Sequence, residues 1–313
     1  MFSPLLVAVL GPTATGKSAL ALGLAERYDG EIVNCDSTAV YRGFDIGTDK
    51  LMVEERRGIP HHLVDIADPT DDYTAARYAI DAAAAVRKIH SQGRLPLVVG
   101  GTGFYYRALT RGLFPGPARD VAFRRRLSRI AGRRGGMTLH RMLQRGDPES
   151  AARIQPGDVK RMIRALEVLR LTGRPLTAHF ADTRRPLPEF AVLALGLRLP
   201  APQIAERVER RVDEQFARGL LREVRHLLAE GVPETAKPFS GLVYRQALEH
   251  LHGVRDEAST RALIARENRR YARRQLTWFR KEPGLVWIDG PGEFPDALAA
   301  ACRLVEEQRS GNA

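Results

Sequence analysis

Cysteine is nearly absent from this 313-residue chain: Cys35 and Cys302 are the only two. Two thiols cannot build a disulfide framework or a four-cysteine zinc site, so a reducing, cytoplasmic setting is expected. No run of 18 apolar residues occurs, which leaves no candidate for a membrane-spanning helix, and no membrane partner is expected. The start, MFSPLLVAVLGPTATGKS, has no basic n-region and no small-residue cleavage site. Its short apolar run therefore reads as a first β-strand and not as a signal peptide. Disorder as the main state is excluded by 44% hydrophobic and 27% charged residues. The length suits one large domain or two modest ones.

Acidic residues are in short supply, 37 against 49 basic, for a net charge of +12. The imbalance is local. Residues 1–115 carry 12 basic and 13 acidic side chains, and residues 186–313 carry 20 and 18. Between them, residues 116–185 carry 17 and 6, a net of +11. A basic field concentrated in 70 residues points to a polyanionic partner such as nucleic acid.

Short apolar runs alternate with helical patterns in the first third. Strands are expected at 5–10, 31–36, 63–66 and 95–99, and helices at 17–28 and 74–90. Unbroken apolar strands between helices imply a parallel sheet covered on both faces. The stretch FPGPARD (114–120) marks a hinge. Beyond it the pattern is Arg-rich and helical, with breaks at Gly135-Gly136 and Gly146-Asp147-Pro148. Strands return at 190–197 and 285–288. Long helices are expected over 201–230 and 260–281. The second carries eight basic residues and one acid over 261–281, with Arg266, Arg269, Arg270, Arg273 and Arg274 on one face. The fold class is thus α/β: a doubly wound parallel sheet with a basic helical insertion and C-terminal helices. The expected division is a core of 1–115 with 186–313, and an insertion of 116–185.

The chemistry begins at Gly11, Pro12, Thr13, Ala14, Thr15, Gly16, Lys17 and Ser18, which fit G-x-x-x-x-G-K-[ST] between a strand and a helix. Glycines let backbone N–H groups converge on an anion, and the helix N-terminus adds partial positive charge. Lys17 reaches phosphate oxygens, and the Ser18 hydroxyl can ligate Mg²⁺. A di- or triphosphate site follows, and with it the doubly wound parallel sheet is expected to be P-loop NTPase-like. A second acid at a strand end could be Asp36 or Asp65. Asp36 at the sheet's ligand-binding edge suits either a metal ligand or a general base. Gly100-Gly101-Thr102-Gly103 closes another strand at the same edge, where Thr102 can hydrogen-bond an acid or a substrate.

Several blocks together resemble the tRNA dimethylallyltransferase (tRNA isopentenyltransferase) family: GPTATGKS (11–18), NCDSTAVYRGFDIGTDK (34–50), PHHLVDIADPTDDYTAARY (60–78), GGTGFYYRAL (100–109), KRMIRALEV (160–168), RVERRVDEQFARGLLREV (207–224) and YARRQLTWFRK (271–281). They occur in family order over most of the chain. The resemblance implies transfer of a dimethylallyl group from dimethylallyl diphosphate to N6 of the adenosine just 3′ of the tRNA anticodon, with Mg²⁺ as cofactor. By the same resemblance, Asp36 deprotonates the amine, and Asp36, Ser37, Thr38 and Ala39 touch the target nucleotide. Thr102 lies near the transferring carbon and the tRNA, and Arg211 binds the diphosphate. Arg124 and the stretch Lys160, Arg161, Met162, Ile163 and Arg164 contact tRNA. Tyr244, Arg245 and Gln246 match a further tRNA-facing motif, although Val243 stands where the family usually has Gly. Gln215 stands where it usually has Met, which reads as a packing change. A monomer is expected, because no self-complementary apolar helix is evident.

Two other classes compete. A small-molecule kinase or adenylate prenyltransferase on the same core would have no use for the basic insertion. A non-catalytic, nucleotide-switched nucleic-acid binder would not need both Asp36 and Thr102.

Overall fold

The computed structural model describes residues 3–311. Six parallel strands form one sheet in the order β3-β2-β4-β1-β5-β6. In chain order, β1 (Leu5–Leu10) leads into α1 (Lys17–Tyr28) and β2 (Gly30–Asn34). Next come β3 (His61–His62), α2 (Ala75–Ser91), β4 (Leu95–Gly100) and α3 (Gly103–Arg111). Four helices follow: α4 (Val121–Arg134), α5 (Gly136–Gly146), α6 (Pro148–Arg153) and α7 (Val159–Thr172). The chain then forms β5 (Ala191–Arg198), α8 (Ala201–Ala217), α9 (Leu220–Ala229) and α10 (Tyr244–Leu251). It ends with α11 (Glu257–Phe279), β6 (Leu285–Asp289) and α12 (Pro295–Gly311).

Alternation along the strands builds two cores. Leu6, Ala8, Leu10, Val33, Val98 and Ala194 pack one face with residues of α2, α3, α8 and α11. Val7, Val9, Ile32, Leu97, Val99 and Leu195 pack the other with α1 and α12. Both faces are covered, so β1 and β4 read as unbroken apolar runs. From β1 the chain moves to one side of the sheet, and after β4 it crosses to the other side at β5. Such reversals leave a crevice at the strands' C-terminal ends, where α/β proteins bind ligands.

Residues Arg111–Arg185 form a second compact unit. Its core is Leu127, Leu139, Leu143, Met162, Ala165 and Leu166, contributed by α4, α5 and α7. Asp side chains cap three of its helices: Asp120 accepts from Phe123 N at 2.8 Å, Asp147 from Ser150 N at 2.9 Å and Asp158 from Arg161 N at 3.2 Å.

Three expected elements differ. The second strand stops at Asn34, so Asp36 lies in the following loop. The strand expected at 63–66 is absent, because Leu63 (φ 60°) and Asp65 (φ 57°) adopt left-handed backbone; only His61 and His62 pair with β2. The single helix expected over 201–230 is two helices, broken at Gly219 (φ 99°).

Candidate active site

Strands β2, β4 and β1 are neighbours, so the loops leaving them meet at one sheet edge. Those loops carry Asp36, Gly101-Thr102 and the phosphate loop. A cavity of about 680 Å³ opens there, lined by Lys17, Ser18, Asp36 and Arg211 among others. Gly100 permits the close approach of two loops: a Cβ on it would lie 2.2 Å from the Cys35 carbonyl oxygen. That carbonyl accepts from Thr102 N at 3.1 Å, and Cys35 N donates to Val99 O at 2.7 Å.

The phosphate loop turns on Gly11 (φ 139°) and Gly16 (φ 83°), and α1 begins at Lys17. Thr15 Oγ1 donates to Pro12 O at 2.9 Å, and Lys17 Nζ donates to the same oxygen at 2.6 Å. Burial first, and the neighbouring Arg211 second, lower the Lys17 ammonium to about 7. An ammonium so destabilised gains from an incoming anion. Cys35 is not a nucleophile: burial pushes its thiol up to about 12.

Asp36 is held by its own turn. Its N–H donates to Asn34 Oδ1 at 3.0 Å, and its Oδ1 accepts from Thr38 N (2.8 Å), Thr38 Oγ1 (2.6 Å) and Ala39 N (3.4 Å). All three bonds fall on Oδ1. Oδ2 makes no hydrogen bond among the described residues. Thr102 Oγ1 accepts from Ser37 N at 3.1 Å, which ties the β4 loop to the acid's loop. Asp65, the other candidate acid, is paired with the Lys50 ammonium, as is Asp45.

Arg211 reaches the phosphate loop from α8. It donates to Thr13 Oγ1 at 2.8 Å and pairs with Asp49 at 3.3 Å. One turn earlier, Arg207 donates to Ala14 O at 2.7 Å and pairs with Glu293 at 2.6 Å.

The motif at 244–246 departs from expectation. Tyr244 is buried, and its hydroxyl donates to Glu223 Oε1 at 2.6 Å and accepts from Gly47 N at 3.0 Å. Glu223 Oε2 in turn accepts from Asp45 N and Ile46 N at 3.1 and 2.7 Å. Tyr244 therefore fastens loop 45–50 from inside the core. Gln246 is fully buried, and only Arg245 of the three is exposed.

In the helical unit, Met162 and Ile163 are buried in its own core, so their side chains cannot face RNA as the motif implied. Lys160 and Arg161 are exposed. Arg124 lies bidentate on the buried Glu167, with both contacts at 2.6 Å, and Arg164 adds a third at 2.7 Å. Burial pushes the Glu167 carboxyl up, but these two guanidinium groups and Asp120 N outweigh it and hold it at about 2. By contrast, Arg125, Arg126, Arg129, Arg133 and Arg134 of α4 are exposed and have no ion-pair partner among the described residues.

Two residues of α11 belong to the site; the matching block YARRQLTWFRK (271–281) contains both but assigns neither a role there. Gln275 accepts from Thr13 N at 2.8 Å and donates to Gly101 O at 2.9 Å. Tyr271 lines the cavity, and burial together with the Asp36 charge raises its phenol above the ordinary range. The available signal was their spacing: i and i+4 place both on one face of an Arg-rich helix.

The family model for IPP transferase matches residues 39–282. A tRNA dimethylallyltransferase of Solibacter usitatus is 50% identical over 95% of this chain and 96% of its own length. That of Geobacter metallireducens is 48% identical over 94% and 95%. Among solved structures, a tRNA isopentenylpyrophosphate transferase of Bacillus halodurans superposes with a TM-score of 0.73 at 34% identity, covering 98% of this chain and 97% of that one. A eukaryotic dimethylallyltransferase acting on tRNA gives 0.80 at 26% identity, covering 99% and 80%.

Proposed function

This chain belongs to the IPP transferase family, and from that premise we propose that it moves the dimethylallyl group of dimethylallyl diphosphate to N6 of the adenosine immediately 3′ of the anticodon in tRNA. One observation carries the reading: the phosphate loop with Arg211 and the uncommitted Asp36 Oδ2 line the same cavity. A leaving diphosphate and a proton acceptor are thereby brought to one chamber.

In the reaction, the bond from C1 of the donor to the diphosphate oxygen breaks as the bond from C1 to N6 forms. The displaced diphosphate takes the electron pair. The loop N–H groups, Lys17 and Arg211 neutralise its growing charge, the largest electrostatic contribution available here. Asp36 Oδ2 orients the amine and accepts its proton, while Oδ1 stays fixed by Thr38. Thr102 is fixed against Ser37, and the family resemblance assigns it a place near the transferring carbon. A stacked adenine cannot enter such a chamber, so the base must be splayed out of the anticodon loop at a cost of a few kcal/mol.

Mg²⁺ fits this donor set. The Ser18 hydroxyl lines the cavity and makes no hydrogen bond among the described residues. Among the described residues no group of three or more His, Cys, Asp or Glu is assembled there, so the ion would draw its other oxygens from diphosphate and water. When bound, it supplies further charge neutralisation to the leaving group.

The unpaired arginines of α4 supply a grip on the tRNA backbone, and Lys160 and Arg161 extend the basic surface of the same unit. We assign the protein to the cytoplasm as a monomer; no helix among the described residues is long and apolar enough to cross a membrane.

The direct test is to incubate the protein with Mg²⁺, dimethylallyl diphosphate and unmodified tRNA carrying adenosine 3′ of the anticodon, then weigh the digested nucleosides. A prenylated adenosine is expected. Its absence with folded protein and several tRNAs would reject the assignment.

A further inference from the structure

Gln215 is a polar side chain placed where apolar packing would be the simpler solution. It lies on the inner face of α8, only 2% exposed. Its Nε2 donates to Asp49 Oδ2 at 3.0 Å and approaches Gly47 O at 3.5 Å, while its Oε1 is buried without a partner. Both neighbours are acceptors, so chemistry alone fixes which end of the amide faces them. An orphaned buried acceptor costs stability, and that cost needs a compensating role.

The role lies one bond further on. Asp49 Oδ2 is also the atom that pairs with Arg211 Nη1 at 3.3 Å, and Arg211 Nη1 donates to Thr13 Oγ1 of the phosphate loop. Arg211 and Gln215 are four residues apart on α8, so they approach Asp49 from one helix face. Asp49 itself sits in left-handed backbone (φ 52°) within a loop that Glu223 and Tyr244 hold at Asp45, Ile46 and Gly47. None of those bonds touches the Asp49 side chain. Only Gln215 and Arg211 hydrogen-bond or ion-pair with it among the described residues.

We propose that Gln215 is a positioning residue for diphosphate binding: through Asp49 it fixes the guanidinium of Arg211 at the reach that meets the phosphate loop. Without the amide, Asp49 keeps a single partner and follows Arg211 instead of anchoring it. Burial already pushes the Asp49 carboxyl up, against the pull of Arg211 and Gln215, so this carboxylate depends on both partners to remain a firm anchor. The inference rests on the diphosphate reading above; Gln215 and Asp49 line the same cavity as Arg211, and the Gln215 amide acts on that site through the Asp49 carboxylate.

The test is a double-mutant cycle read by calorimetric titration with dimethylallyl thiolodiphosphate and Mg²⁺. Gln215→Met keeps the length and volume of the side chain and removes both hydrogen bonds. It should raise the Kd by about 3- to 10-fold, the worth of one lost hydrogen bond. In an Arg211→Gln background the same change should move the Kd by less than about 1.5-fold, because the group it acts through is gone. A packing role would lower the melting temperature equally in both backgrounds and leave the Kd alone. Should Gln215→Met fold poorly, Gln215→Asn withdraws the amide by one methylene and carries the same expectation. An unchanged Kd, or an equal rise in both backgrounds, overturns the role of Gln215 and leaves the function standing. Failure of the unaltered protein to bind the analogue overturns both.

Discussion

Gln275 and Thr13 are 262 residues apart in sequence, yet the Gln275 side chain accepts the Thr13 N–H at 2.8 Å. The other end of the same amide donates to Gly101 O at 2.9 Å. One side chain of α11 therefore fastens the phosphate loop to the β4 loop that carries Thr102. Gly101 leaves it room, since a Cβ there would meet Gln275 Nε2 at 2.3 Å. Gln275→Leu removes both bonds and leaves the Thr13 N–H without its partner. A loss of about 2 kcal/mol in stability is expected from the unsatisfied group and the missing bonds. The KM for the prenyl donor should rise with it, and denaturant unfolding with steady-state kinetics reads both.

Asp36 divides its two oxygens between structure and chemistry. Thr38 and Ala39 occupy Oδ1, so Asp36→Asn can keep the turn through its amide oxygen while losing basicity. The expected result is a fall in turnover of about 10²–10⁴ with tRNA affinity largely retained. Filter binding against single-turnover rates separates the two effects. Equal turnover would remove Asp36 from the role of base.

Lys17 makes donor binding depend on pH with a definite sign. In the free protein its ammonium is lowered to about 7 by burial and by Arg211, against the opposing pull of Asp36. Cys35 beside it stays a neutral thiol. Bound diphosphate favours the charged form and raises the pKa, so binding above pH 7 takes up a proton. Donor affinity should therefore weaken as pH rises through about 7, by up to roughly tenfold per pH unit until the pKa of the complex is reached. Calorimetry in buffers of different ionisation enthalpy counts the proton directly. Lys17→Met should bind more weakly and lose this dependence.

The basic helices separate two kinds of arginine. Arg125, Arg129 and Arg133 lie at i, i+4, i+8 on α4, exposed and unpaired among the described residues. Replacing all three by Gln should lower the salt slope of tRNA binding by about 0.7–0.9 for each phosphate no longer neutralised. Arg124 differs because it neutralises Glu167. Glu167→Gln leaves two half-buried guanidinium groups without their carboxylate and should cost about 3–5 kcal/mol of stability in this unit. The pH sign follows from the depressed carboxyl: its contribution is complete above the unfolded value near 4.5 and is lost as pH falls toward about 2. Hydrogen exchange on α4 and α7 would report the change where it arises.

Much of this was legible in the sequence because the signals were local. Helix α1 begins at Lys17 and ends at Tyr28 as expected, since a glycine turn and a lysine fix its start. The apolar runs of β1 and β4 reveal strands buried on both faces. Distant partnerships were not legible. Nothing near Gln275 announces Thr13, and nothing near Tyr244 announces Gly47 or Glu223. A motif shows that a residue type recurs at a place and not which way its side chain faces; hence Met162 and Ile163 lie inside a unit whose motif had suggested RNA contact. The strand expected at 63–66 failed for a backbone reason, because left-handed Leu63 and Asp65 leave no trace in a hydrophobic pattern.

Val243 holds the least comfortable backbone at the site. It is β-branched, 3% exposed, and adopts φ 75°, ψ −61° at the start of α10. That conformation is a strained γ-turn for any residue with a Cβ and costs about 1–3 kcal/mol. Glycine relieves the strain. It also gives up about 1.5–3 kcal/mol of side-chain burial and about 0.5–1 kcal/mol of backbone entropy. These terms nearly cancel, so Val243→Gly should alter stability far less than the same change at Val98, which sits unstrained in β4. Alanine supplies the sharper comparison. Val243→Ala loses most of the burial but keeps a Cβ in the strained turn, so it should be less stable than Val243→Gly. At ordinary positions the order runs the other way. Denaturant midpoints of the two variants decide the matter: alanine above glycine would mean that the turn relaxes once the branched side chain is gone, and that strain at Val243 is not what shapes this wall of the cavity.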